Sequence, residues 1–398
     1  MRSEPLIMVV YGTRPEAIKV APVIRALQAD PELAVHVTVT GQHRELLDSV
    51  NAFFGITPDV DLDIGRPGQS LADIGAAALS GLAKVLDQTR PDAVLVHGDT
   101  TTSTTAAFAA YYAKIPVVHL EAGLRSGDML APWPEEGNRR LTGQLASLHL
   151  APTPSARENL LAENVPSSAI TVTGNTVIDA LLHTVAQPAT FTDPRIENAV
   201  RAGQRLVVLT GHRRESWDGG LARTAHALAQ VATQRPNVTI VAPLHPNPIV
   251  RQEIEPAFRS FDRAILIEPL DYPQFCHLLD AAYCVVTDSG GIQEEAPSLG
   301  KPVLVTRDTT ERPEAIAAGV ARLVGTREED IARELALLLD DNTHYARMSR
   351  AVNPYGDGRA AARALAAIKH HFRLAARPRD FDRPVPPRNR SPREEHAS

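Results

Sequence analysis

Only two cysteines, Cys276 and Cys284, occur in the 398 residues. They lie in a predicted helix-to-strand stretch and form no CxxC pair. That argues against a disulfide framework and a structural zinc site, and the expectation is two half-buried thiols. Basic excess is also missing: the net charge is -6. A general nucleic-acid binder needs a basic face along the phosphate backbone, so no nucleic-acid partner is expected. A small phosphorylated ligand needs only a few local cations and stays open. No apolar run approaches the ~20 residues of a membrane span. No leader-like pattern precedes the first apolar run, LIMVV, so the expected compartment is the cytoplasm. Two nucleotide signatures are absent as well. The turn after that run, Gly12-Thr13-Arg14-Pro15-Glu16-Ala17-Ile18-Lys19, is neither GxGxxG nor GxxxxGK[ST]. No His/Cys/Asp/Glu spacing resembles a metal site, so no metal and no other cofactor is expected.

What is present is strand–helix alternation in a chain long enough for two domains. Apolar, β-branched runs at Leu6–Val10, Val35–Thr40, Ala93–His97, Val117–Leu120, Leu206–Thr210, Val238–Ala242, Ala264–Ile267, Cys284–Thr287 and Pro302–Val305 are separated by helical patterns. Such near-continuous apolar strands predict parallel sheets covered on both faces. The alternation pauses at residues 183–204, which carry proline, threonine and charge but no apolar strand. We therefore expect an α/β protein of two Rossmann-like domains, 1–182 and 183–357, with parallel sheets facing a cleft. A helix over 358–374 is expected to pack back on the first domain. The proline- and arginine-rich stretch 375–398 is expected to be disordered, with a basic interaction tail as its functional alternative.

Ligands of open parallel sheets bind beyond the carboxyl ends of the strands, so the residues just after each strand carry the functional information. Arg14 and Lys19 bracket a helix start opened by Pro15, where free amides favour anions. Asp99 and Glu121 each follow a strand, and Glu135 lies a loop further on. Three such carboxylates suit general acid–base work; pairing of Asp99 and Glu121 to local arginines is the structural alternative. His212 follows Leu206–Thr210 beside two arginines, as a phosphate contact or a proton carrier. The run Asp288-Ser289-Gly290-Gly291 leads into a helix, and its serine and glycine amides form a cradle for phosphate oxygens. Glu295, about one turn in, can accept from vicinal ribose hydroxyls. Arg307 and Arg312 add cations after the next strand. The second domain thus looks built for a nucleoside diphosphate and the first for proton transfer, which points to a nucleotide-sugar.

Taken together, GTRPEAIK, VHGDTTT, HLEAGLRSGD, PWPEEGNRR, TGHRRES, TDSGGIQEEAPSLGKPVL and RDTTERPEA resemble the non-hydrolysing UDP-N-acetylglucosamine 2-epimerase family from about Leu6 to Lys369. The resemblance implies the glycosyltransferase-B architecture, a homodimer, and no metal or NAD. It implies that Arg14, Lys19, His212, Arg312 and the Ser289-Gly290-Gly291 turn hold the diphosphate. Glu295 takes the ribose, and Leu270 and Phe275 contact the uracil region. Asp99, Glu121 and Glu135 match the family's proton-transfer candidates, with His212 also implicated. UDP-N-acetylglucosamine is then substrate and also allosteric activator, with Gln42, His43 and His245 matching that second site. Some members carry an arginine near position 68, where this chain has Gly68.

The implied reaction inverts C2 of UDP-N-acetylglucosamine and feeds bacterial surface polysaccharide synthesis. C2 bears no carbonyl, and an oxidative route through C3 would need a nicotinamide whose fingerprint is absent. Elimination of UDP to a 2-acetamidoglucal, followed by re-addition, remains. The competing readings are a hydrolysing epimerase, a glycosyltransferase of the same fold, and a non-catalytic nucleotide-sugar sensor.

Overall fold

The computed structural model describes residues 4–41, 44–66, 68–188, 190–213 and 217–382. The chain divides into two compact units. One comprises the residues up to Ala180 with the stretch that starts at Tyr355, and the other is Leu181–Pro354. The first division falls inside the helix Thr176–Val185 rather than in the proline-containing stretch 183–204. Among the described residues, no helix is long and apolar enough to cross a membrane.

The first unit is built on seven strands: β1 (Leu6–Tyr11), β2 (Ala34–Val39), β3 (Val60–Asp61), β4 (Ala93–His97), β5 (Val117–Leu120), β6 (Leu148–Ala151) and β7 (Ile170–Val172). All pair in parallel, in the order β3-β2-β1-β4-β5-β6-β7. The order reverses direction at β1 and β4, so the switch-point crevice opens at Gly12 and Gly98. β1, β4, β5 and β6 are buried along their whole length, as strands between two helical layers must be. Gly12 ends β1 because nothing larger fits: a Cβ there would lie 2.1 Å from Thr40 Oγ1 and 2.6 Å from Thr102 Oγ1.

The second unit repeats the plan with β8 (Arg205–Thr210), β9 (Val238–Pro243), β10 (Ala264–Ile267), β11 (Ala282–Thr287), β12 (Val303–Val305) and β13 (Ala321–Leu323). Their order is β10-β9-β8-β11-β12-β13, again all parallel. Here the switch point lies between β8 and β11, at Gly211-His212 and Asp288-Ser289. Cys284 sits in β11 within the core and Cys276 in the helix Tyr272–Ala281. Both thiols are free and fully buried rather than half-buried.

Two further expectations need correction. β3, β6, β7 and β13 were not expected from the sequence; like β5, β10 and β12, which were, each has at most four residues, too few for periodicity alone to mark. The stretch expected to be disordered from 375 is held in place as far as Asp382. Arg377 donates to the Ile170 carbonyl (2.7 Å), and Asp380 accepts from the Val172 amide (2.9 Å). The Phe381 amide donates to the Val172 carbonyl (2.8 Å), and its ring is buried. These contacts cover the otherwise open edge of β7. The helix Ala360–His371 joins the first unit through Lys369, which binds Asp30 (2.8 Å) and Glu32 (2.5 Å).

Candidate active site

In the first unit the site grows from the turn after β1. Glu16, in the first turn of the helix Arg14–Ala29, is almost fully buried and accepts four hydrogen bonds. The donors are the Gly12 and Thr13 amides, the Thr13 hydroxyl and, from across the switch point, the Thr100 hydroxyl at 2.7 Å. Burial raises its carboxyl above the ordinary range, and those donors only partly offset this. Thr100 also caps the helix Thr101–Tyr112 by accepting from the Ser103 amide. Glu16 thereby ties the β1 turn to the β4 turn that carries Asp99.

Glu121 follows β5 with φ +61°, a left-handed conformation uncommon for a non-glycine residue. Its side chain is buried, and its contacts all fall on one oxygen. Lys19 Nζ lies 2.6 Å from Oε2, Asn175 Nδ2 2.9 Å and His97 Nε2 3.5 Å. Oε1 takes no hydrogen bond among the described residues. Burial pushes the Glu121 carboxyl up, but Lys19 and then His97 prevail and hold it well below the carboxylate range. Lys19 and Glu121, both proposed from sequence, are thus in direct contact.

Arg139 holds Asp99 by one oxygen, with Nη2 2.8 Å and Nε 2.9 Å from Oδ2, while Asn138 donates to the Asp99 backbone carbonyl. The alternative of pairing to a local arginine therefore holds for Asp99, while Glu121 takes a lysine instead. Glu135 opens the helix Glu135–Leu145, with Oε2 buried and without a partner among the described residues. Its neighbour Glu136 is fully buried; burial is outweighed by the Ser126 amide, Arg140 and Arg139, which lower its carboxyl. Arg14 is half-buried in the first helical turn. Gln42 and His43 lie outside the described residues.

The second unit assembles its groups around Asp288, which is completely buried after β11. Asp288 accepts from the His212 amide (3.0 Å) and the Arg213 amide (2.9 Å), and its Oδ1 lies 3.5 Å from His212 Nδ1. The half-exposed His212 ring stacks on His245, centroids 5.9 Å apart. Partial burial, His245 and Arg213 lower the imidazole despite Asp288. Ser289 precedes the helix Gly290–Ser298 as its N-cap residue, as the sequence predicts, and Glu295 Oε1 comes near Gly291. Glu311 stands beside Gly290, bridging Arg213 and Arg307 at 2.6 Å each. Arg312 pairs with Glu294 in the same helix. Leu270 lines a groove of about 740 Å³ with Arg195, Arg251, Glu268 and Gln274; Phe275 does not line it.

Sequence reasoning missed Glu16, His97, Asn175, Arg139, Asp288 and Glu311. Glu16 had a local signal, the Thr-x-x-Glu capping box. Asp288 and Glu311 lay inside motifs already marked. His97 and Asn175 become neighbours of Glu121 only through the sheet.

Two parallel α/β units with polar groups at each switch point define a glycosyltransferase-B type of protein. A glycotransferase of kitacinnamycin shares this fold at 15% identity, with a TM-score of 0.64 over 94% of this chain and 100% of that one. The family profile for UDP-N-acetylglucosamine 2-epimerase matches residues 25–369. A UDP-N-acetylglucosamine 2-epimerase of Yersinia pestis is 52% identical over 92% of this chain and 98% of its own length. The Neisseria meningitidis UDP-GlcNAc 2-epimerase, solved bound to UDP-GlcNAc, is 44% identical, with a TM-score of 0.82 over 92% of this chain and 100% of that one. The chain belongs to the UDP-N-acetylglucosamine 2-epimerase family.

Proposed function

We propose that this protein interconverts UDP-N-acetylglucosamine and UDP-N-acetylmannosamine without net hydrolysis. Cleavage of the C1–O bond to UDP develops positive charge at C1 and acidifies the C2–H. A base takes that proton, leaving a 2-acetamidoglucal and bound UDP. UDP then adds back while a proton reaches the opposite face of C2. The observation that carries this reading is the geometry of Glu121. One oxygen is tied by cation and amide, and the other takes no hydrogen bond among the described residues, which suits a positioned base.

The remaining roles follow from charge. Arg14, Lys19, His212, Arg312 and the Ser289-Gly290-Gly291 turn are assigned to the diphosphate, whose negative charge grows as the bond breaks. Glu295 is assigned to the ribose, and Leu270 and Phe275 to the uracil. Asp99, Glu135 and His212 are the other proton-transfer candidates. Capture of Lys19 by a diphosphate would remove a cation from Glu121 and make it the stronger base. The reading also takes the enzyme as a cytoplasmic homodimer that serves surface-polysaccharide synthesis. A second UDP-N-acetylglucosamine, near Gln42, His43 and His245, is proposed to activate it. Product analysis tests the reading: UDP-N-acetylmannosamine is expected. Free N-acetylmannosamine with free UDP would support a hydrolase, and binding without turnover a sensor.

A further inference from the structure

His97 is the last residue of β4 and is buried, yet neither ring nitrogen has a hydrogen-bond partner among the described residues. Its Nε2 nevertheless lies 3.5 Å from Glu121 Oε2. A buried imidazole left unpaired is costly unless its surroundings give it a task. Here the surroundings are ionisable from several elements. Glu121 follows β5, and Lys19 and Glu16 come from the helix Arg14–Ala29. His119 of β5 also lies within electrostatic reach of His97, and burial holds it neutral, with a pKa of about 3. Asn175, after β7, completes the ring of donors on Glu121.

We propose that His97 is a positioning residue for Glu121: it holds Oε2 so that Oε1 is the oxygen presented to the sugar. The inference rests on the reading of Glu121 as a proton-transfer group. It follows from which donors can stay. Lys19 is assigned to the diphosphate, so its contact with Glu121 is the one that substrate binding removes. Asn175 and His97 then anchor the carboxylate.

Two substitutions separate this role from a packing role. Glutamine places an amide nitrogen near the position of Nε2, whereas asparagine does not reach it. His97→Asn is expected to lower kcat for solvent-deuterium exchange at C2 by about tenfold or more, with KM within about twofold. The acidic limb of its kcat–pH profile should move to higher pH, because Glu121 loses a group that favours its charged form. His97→Gln should recover most of the rate. In a Glu121→Gln background, His97→Asn should cost no further rate. The proposal is overturned if folded His97→Asn keeps the parental kcat and pH profile, if His97→Gln is as slow as His97→Asn, or if the two losses simply multiply. Should Glu121→Gln itself exchange at the parental rate, the reading of Glu121 falls and this inference with it. A slow Glu121→Gln beside an unaffected His97→Asn removes only the inference.

Discussion

A carboxylate works as a base only if its surroundings leave an oxygen for the proton. Glu121 meets that condition, with Lys19, Asn175 and His97 all on Oε2. Asp99 also keeps its contacts on one oxygen, Arg139 reaching Oδ2 through two nitrogens, but its side chain is more exposed than that of Glu121, 24% against 8%. Glu135 keeps a buried oxygen without a partner among the described residues. Glu121→Gln is therefore expected to slow deuterium exchange at C2 most. At least one of Asp99→Asn and Glu135→Gln should also slow it by more than about tenfold, roughly 1.4 kcal/mol in barrier terms. If none of the three slows exchange by that factor in folded protein, the acidic residues are not the proton carriers. The residue types and their positions after strands were legible in the sequence. Their partners were not, because Lys19 meets Glu121 across 102 positions of chain and Asn175 across 54.

At the scale of elements, each unit brings together the turns after its two switch-point strands. In the first, Glu16 spans the β1 and β4 turns; in the second, Asp288 clasps the turn after β8 from the end of β11. The contact of the β1 turn with the hydroxyls of Thr40 and Thr102, themselves 3.0 Å apart, leaves no room at Gly12. Gly12→Ala is expected to cost about 1–3 kcal/mol, the usual range for overpacking a buried position. Denaturant unfolding measures it, and a loss below about 0.5 kcal/mol would mean that the turn relaxes freely. Elements with four or more consecutive apolar residues were mostly legible, because burial on both faces writes itself into the sequence. β3, β7 and β13 were not, because two or three residues acquire strand geometry from the neighbour they pair with. The closing stretch was misread for a related reason. Its composition is that of a tail, and one aromatic, Phe381, together with Asp380, anchors it to β7.

At the scale of the whole chain, the first unit is completed by residues that return from the far end of the sequence. Asp179 receives them: its carboxylate accepts from the Ala360 amide (3.1 Å) and the Ala361 amide (2.9 Å) at the start of the helix Ala360–His371. Burial raises its pKa to about 6, against the opposing effect of those amides. A carboxyl raised in the folded state binds its proton more tightly there than in the unfolded chain. Its contribution to stability is therefore full below about pH 4 and is lost as pH rises through about 6. Asp179→Asn should flatten the stability–pH curve across that interval, as measured by urea unfolding at fixed pH values. An unchanged slope would show that Asp179 does not titrate there.

Catalysis at C2 is the claim on which the rest depends, and proton NMR of UDP-N-acetylglucosamine with the protein in deuterated water tests it directly. UDP-N-acetylmannosamine carrying deuterium at C2 is expected, with deuterium also appearing at C2 of the remaining UDP-N-acetylglucosamine and no accumulation of free sugar. Folded protein that forms no UDP-N-acetylmannosamine, or forms it with the original C2 proton retained, would contradict it.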